Sequence, residues 1–302
     1  MQLPTQIART GFHPGAVPGY GALIVFWQQM RSRCAWRDLL GMCLLAAVHL
    51  GAAAAIQSAA TPLSEYTGDA PRFLHRWFGM TALIAPLVYL PAAAVLGALA
   101  TPSAARFEET QSMLLTRLLP IEVCIGRLLA SLWPVISAIM TCCAVGFILQ
   151  LVWRPLLPGS ADGYLTIALM HIVMLSSVLC IGAVAFYCAM RRRPGSVPAR
   201  GAGLALAAAA LALLGLFLAN PLIRKLENPT PLIYGLLLAN PATAGATALH
   251  ADVLRYRWIY ERTDAPEYPF SYPPPWATCA LFAGGAAGAL CLSSVRLRRA
   301  YR

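Results

Sequence analysis

Lysine is almost missing from this chain: Lys225 is the only one among 23 basic residues, and all the others are arginine. A P-loop needs its phosphate-gripping lysine behind a glycine-rich turn. The residues ahead of Lys225, LANPLIR, hold no glycine, so the chain carries no such ATP site. Acidic residues are also scarce, 12 in 302 positions. Charged residues of both signs make up 12%, where a soluble domain has about 25%. The nine cysteines include no C-x-x-C pair, which removes the commonest metal and redox spacings. Seven of them (Cys43, Cys142, Cys143, Cys180, Cys188, Cys279, Cys291) fall in apolar runs, where a thiol packs as a small apolar group. Apolar residues supply 59% of the chain, and mean hydropathy is +0.63. That composition excludes an ordinary soluble enzyme.

Apolar runs near Leu39 to Ala60, Phe78 to Ala100, Leu128 to Val152, Tyr164 to Met190, Gly201 to Asn220 and Trp276 to Val295 contain no Asp, Glu, Lys or Arg. About 20 helical residues cross about 30 Å of hydrocarbon. Backbone polar groups at that depth must be satisfied within the segment, which leaves helices as the reading for all six. The alternating strands of a β-barrel are absent from the pattern.

Charge orients the six. Fifteen arginines fall in the four segments that share one side: Arg9 to Arg37, Arg106 to Arg127, Arg191 to Arg200, and Arg296 to Arg302. Eight basic residues fall on the other side, five of them in one long loop where charge has little topological force. The positive-inside bias therefore places both termini in the cytoplasm. The net charge of +11 reflects topology, and nucleic acid is not an expected partner. Residues 1–38 lack the short apolar core of a signal peptide and form a cytoplasmic segment. Within it, Leu23, Phe26, Trp27, Met30 and Cys34 recur at helical spacing, with Gln28, Gln29, Ser32 and Arg33 elsewhere. This is the pattern of a helix lying in the lipid interface, near headgroups that Arg31, Arg33 and Arg37 would meet.

Between the second and third spans runs TPSAARFEETQSMLLTRLLPIEVCIGRLLA, which opens with Thr101 at an N-cap position and Pro102 at the first helical position. Phe107, Leu114 and Leu118 share one face while Glu109 and Arg117 point away, so a cytoplasmic helix of about 102–120 offers an apolar face to a soluble partner. Glu108, Thr110, Leu114, Leu115, Pro120, Ile121, Glu122, Val123, Gly126 and Arg127 match a family pattern: an acidic stretch, a Leu-rich turn, a Pro-Leu-Glu-Ile-like tetrapeptide and a Gly followed by a basic residue. On these residues the chain resembles the type-2 family of ABC transporter permeases. The resemblance implies that this stretch is the coupling helix that docks on a separate ABC ATPase. Its contact residues would be Phe107, Glu108, Glu109, Leu114, Arg117, Leu118, Pro120 and Glu122.

The segment of about 221–275 holds two short apolar pieces, PLIYGLLLA and ATAGATAL, broken at Asn240 and Pro241. Neither can span alone, so an external re-entrant hairpin is expected there, and the family has short re-entrant helices at the same place. Small residues in the first span (Gly51, Ala52, Ala55) and the fifth (Ala207, Ala210) allow close helix approach. In the family these two spans join the permease halves, which makes those positions dimer-interface candidates.

His49 and His171 are the ionisable side chains placed within spans. Without a partner carboxylate they suit structural hydrogen bonding better than a proton relay or a haem site. The expectation is an all-α polytopic protein of the cytoplasmic (inner) membrane: a six-helix transmembrane domain over 39–302 that binds no cofactor and carries no catalytic residue or metal. ATP and Mg would sit on the partner ATPase, and a second permease, identical or related, would complete the transporter, an exporter. A membrane-embedded redox or lipid-modifying enzyme, or its anchor subunit, is the alternative; it would need a ligand pair or an acid and base set that the sequence does not display.

Overall fold

The computed structural model describes residues 20–31, 35–60, 70–101, 118–153, 161–190, 197–248, 261 and 272–300. Among these residues the fold is all-α. A short helix α1 (Tyr20–Arg31) precedes α2 (Ala35–Ala60), α3 (Ala70–Leu99), α4 (Pro120–Trp153), α5 (Ala161–Ala189) and α6 (Val197–Leu218). Then come α7 (Asn220–Ile223), α8 (Thr230–Leu238), α9 (Pro241–Ala248) and the final helix α10 (Pro275–Ala300). Six of them, α2 to α6 and α10, are long and apolar enough to cross a membrane, the plan of a multi-pass membrane protein.

Helix α5 is the axis of the bundle, in contact with α3, α4, α6, α9 and α10. Small residues bring its backbone close to its neighbours. Gly97 of α3 lies against the backbone of Gly182 in α5, with no room for a side chain between them. Gly201 of α6 meets Ala185 and Ala189 of α5 in the same way. In lipid, where apolar side chains gain little by meeting one another, such close approach is a main source of helix association. At the end of the bundle where α10 finishes, Arg296 donates to the Tyr187 carbonyl at 2.9 Å and stacks over the Tyr187 ring at 3.7 Å. One arginine thus ties α10 to α5 by a charge-assisted bond and a cation–π contact.

Helix α4 is longer than its apolar run. Its 34 residues extend about 51 Å at 1.5 Å per residue, and it starts at Pro120, eight positions ahead of the expected span. Glu122 explains the early start: its carboxylate accepts the Leu119 N–H at 3.0 Å, with Pro120 at the first helical position. This is half of a capping box joined to a favoured N1 proline. Leu118 and Leu119 are not helical, so the expected helix of about 102–120 does not run on to Pro120, and the rest of it lies outside the described residues. At the end of α3, Thr101 donates its hydroxyl to the Ala98 carbonyl at 2.8 Å, closing that helix.

Helix α1 packs on the first third of α4: Ala22 and Val25 meet Gly126, and Phe26 meets Trp133 edge-on with ring centroids 5.5 Å apart. The expected apolar face is therefore split. Leu23 and Trp27 stay exposed, as an interfacial helix requires, while Ala22, Val25 and Gln29 form the buried face. Gln29 was expected on the polar side and lies inward, because the small residues at 22 and 126, more than hydropathy, decide which side can approach α4.

Candidate functional site

Four long helices, α2 to α5, and the short α9 surround a polar cluster inside the bundle. His49 of α2 is buried and donates from Nε2 to the Thr81 carbonyl of α3 at 2.9 Å. A carbonyl can only accept, so this contact fixes the proton on Nε2 and leaves Nδ1 of the neutral ring as an acceptor. Tyr89 then donates its hydroxyl to Nδ1 at 3.0 Å. The tyrosine oxygen can in turn accept from the Cys142 thiol of α4 at 3.4 Å. The chain Cys142, Tyr89, His49, Thr81 runs in one direction across three helices with every proton assigned.

His171 of α5 stands across from His49. Its Nδ1 donates to the Ile167 carbonyl one turn earlier at 2.8 Å. Both histidines line the same two small cavities, of about 10 and 20 Å³. Each is the size of about one water molecule. Helix α9 closes one of them with Pro241 and Gly245. Gly245 packs on Ala82 and Met170, a fit that an extra methyl would crowd. Pro86 lacks the N–H that the Ala82 carbonyl would otherwise receive, so α3 presents a loosened turn where α9 docks. This cluster holds protons in place and offers no carboxylate to receive one. Among the described residues no group of three His, Cys, Asp or Glu could hold a metal ion.

The break ahead of the last span lies where the sequence places it. Asn240 accepts the N–H groups of Ala242 and Thr243 at 3.0 and 3.2 Å, capping α9, and donates its amide to the Leu213 carbonyl of α6 at 3.1 Å. Thr278 of α10 donates to the Leu238 carbonyl at 2.9 Å. The two short helices are thus pinned to α6 and α10. Helix α9 is buried along almost its whole length, and Thr243 Oγ1 lies within it, buried and without a partner.

The expected dimer positions point outward: Gly51, Ala55, Ala207 and Ala210 are exposed and Ala52 is half-buried, while Ala53 and Ala209 turn into the bundle. An added side-chain carbon at Gly51 would meet no neighbour within 4 Å. Of the expected coupling residues, Phe107, Glu108, Glu109, Leu114 and Arg117 lie outside the described residues. Leu118, Pro120 and Glu122 gather at the start of α4, where the Glu122 carboxylate also fills the space beside Gly21 of α1. The sequence reading missed the link between the two histidines and the parts played by Tyr89 and Cys142. A buried tyrosine hydroxyl needs a partner, and that requirement was the one available signal.

Comparison with protein-family models, with curated proteins and with solved structures finds no match to this chain.

Proposed function

We propose that this chain is the membrane subunit of an ABC transporter of the type-2 permease kind, an exporter that works as a pair of permeases with two copies of a separate ATPase. The observation that carries the reading is the pair of short helices α8 and α9, broken and capped at Asn240, with α9 buried in the bundle, ahead of the last of six apolar helices. In support stand the outward small-residue faces of α2 and α6, and the extension of α4 well past the thickness of a bilayer at the end where α1 packs. On this reading α8 and α9 form a re-entrant hairpin on the outer side, and both termini face the cytoplasm.

The mechanism is mechanical. Closure of the ATPase pair on ATP would press on the loop ahead of Pro120. The rigid, capped start of α4 would carry that displacement into the bundle, and α1, packed on the same stretch, would move with it. Alternating access would follow at the seam between the two permeases. The chain's own residues transmit force and line the path, and the chemistry belongs to the ATPase.

Reconstitution tests this. In nanodiscs, an ABC ATPase that co-purifies with this chain from its own cells should hydrolyse ATP several-fold faster with the chain than without it. Replacing Glu108 and Glu109 with Arg should remove the stimulation while membrane insertion persists. Equal hydrolysis with and without the chain would defeat the reading.

A further inference from the structure

We infer that the cargo is a long-chain amphiphile, carried with its alkyl or isoprenoid chain against the seam between two copies of this chain; the inference rests on the permease reading above. The six apolar runs contain no Asp, Glu, Lys or Arg, and their two histidines are engaged with Thr81, Tyr89 and Ile167, so wherever the path runs through them no fixed charge is provided to compensate that of an ion or a charged solute. A desolvated charge without a partner is among the costliest groups to move through such a medium.

Many of the hydroxyls on these helices are bonded to backbone. The hydroxyls of Ser58, Thr81, Thr141, Ser177, Ser293 and Ser294 each donate back to a carbonyl three or four residues earlier in their own helix. Ser131 and Thr278 donate to carbonyls of neighbouring elements. His49, Tyr89 and Cys142 bond to one another, and the cavities beside them have room for about one water each. A sugar or peptide sheds its water only where replacement donors and acceptors wait for it. Among the described residues most of these donors are already engaged, the buried Thr243 hydroxyl being an exception.

The outward faces of α2 and α6, which the permease reading sets at the seam, are apolar. Leu44 and Val48 on α2, and Leu211 and Phe217 on α6, are each about half or more exposed. Such a wall suits a hydrocarbon chain, with the headgroup of the cargo left to the wetter ends of the helices.

The test uses the chain together with its ATPase in nanodiscs and a hexadecyl phosphate bearing a diazirine at mid-chain, with labelled residues read by mass spectrometry. Labelling should concentrate on α2 between Leu44 and Ile56 and on α6 between Leu204 and Leu218, at least fivefold above the exposed Leu87 of α3 and Leu281 of α10. Unlabelled hexadecyl phosphate should compete and sucrose should not, and trapping with ATP and vanadate should lower the seam signal several-fold. Equal labelling of all four surfaces would be that of bulk lipid and would overturn the inference. If hydrolysis still responds to the chain in that case, the permease reading survives without it. Concentrated, competable labelling that ignores nucleotide would uphold the amphiphile site and overturn the permease reading.

Discussion

Asn240 and Leu213 are joined by a 3.1 Å hydrogen bond from the asparagine amide to the leucine carbonyl, across 27 positions of chain. That bond fixes the turn between α8 and α9 against α6, while the other end of the same side chain caps α9. Replacing Asn240 with Ala strands two N–H groups and one carbonyl in a buried site. It should cost about 2 to 4 kcal/mol, measured by thermal or denaturant unfolding in detergent. Thr243→Val, three residues on, should be neutral or stabilising, because it removes a buried hydroxyl that has no partner. Equal losses for the two variants would contradict this account of the turn.

Glycines separate contact from mere flexibility. Gly97→Val should drive α3 from α5 and lower the yield of folded protein sharply, since the Gly182 backbone occupies that space. Gly203→Ala, on a face of α6 with nothing within 4 Å, should leave the melting temperature unchanged or raise it slightly through helix propensity. Size-exclusion profiles and melting curves of the two variants give the comparison.

Coupling within the polar cluster can be measured by a double-mutant cycle. His49→Phe and Tyr89→Phe each remove one partner of the bond between Nδ1 and the hydroxyl, and the double variant removes both. The expected interaction energy is about 1 kcal/mol, with the double variant less damaged than the two losses added together. Strict additivity would mean that the bond contributes nothing.

The turn at Asn240 also makes a topological prediction. Single cysteines beside Glu227 and beside Asp252, in a background without exposed thiols, should both react with a membrane-impermeant maleimide added outside intact cells. Reaction at the first alone would make the region a seventh crossing and reverse the side of the C-terminal arginines.

The six long helices were legible because hydrocarbon solvation leaves a strong, local signature: about 20 residues without charge, bounded by arginine. The break at Asn240 was legible for a similar reason, since Asn followed by Pro both ends one helix and starts another. Contacts between helices left no comparable mark. His49 and His171 are 122 positions apart, and nothing in either segment shows that α2 and α5 bring them to the same cavities. Gln29 was misplaced because hydropathy ranks residues by their solvent, whereas inside a bundle Gly126 sets which face of α1 can come close. The early start of α4 was hidden by Arg127, which ends the apolar run, and by Glu122, which reads as a loop charge and acts as the cap of a helix.

The most direct test of the permease reading is a contact map of the loop ahead of Pro120. A photo-crosslinking amino acid placed in turn at Glu108, Glu109 and Leu114, in the chain expressed in its own cells, should give ultraviolet-dependent adducts whose partner peptides belong to an ABC ATPase. The same group at Asp252 should give none. Adducts at all four positions, or at Asp252 alone, would contradict the proposal that this loop is where the ATPase drives the membrane helices.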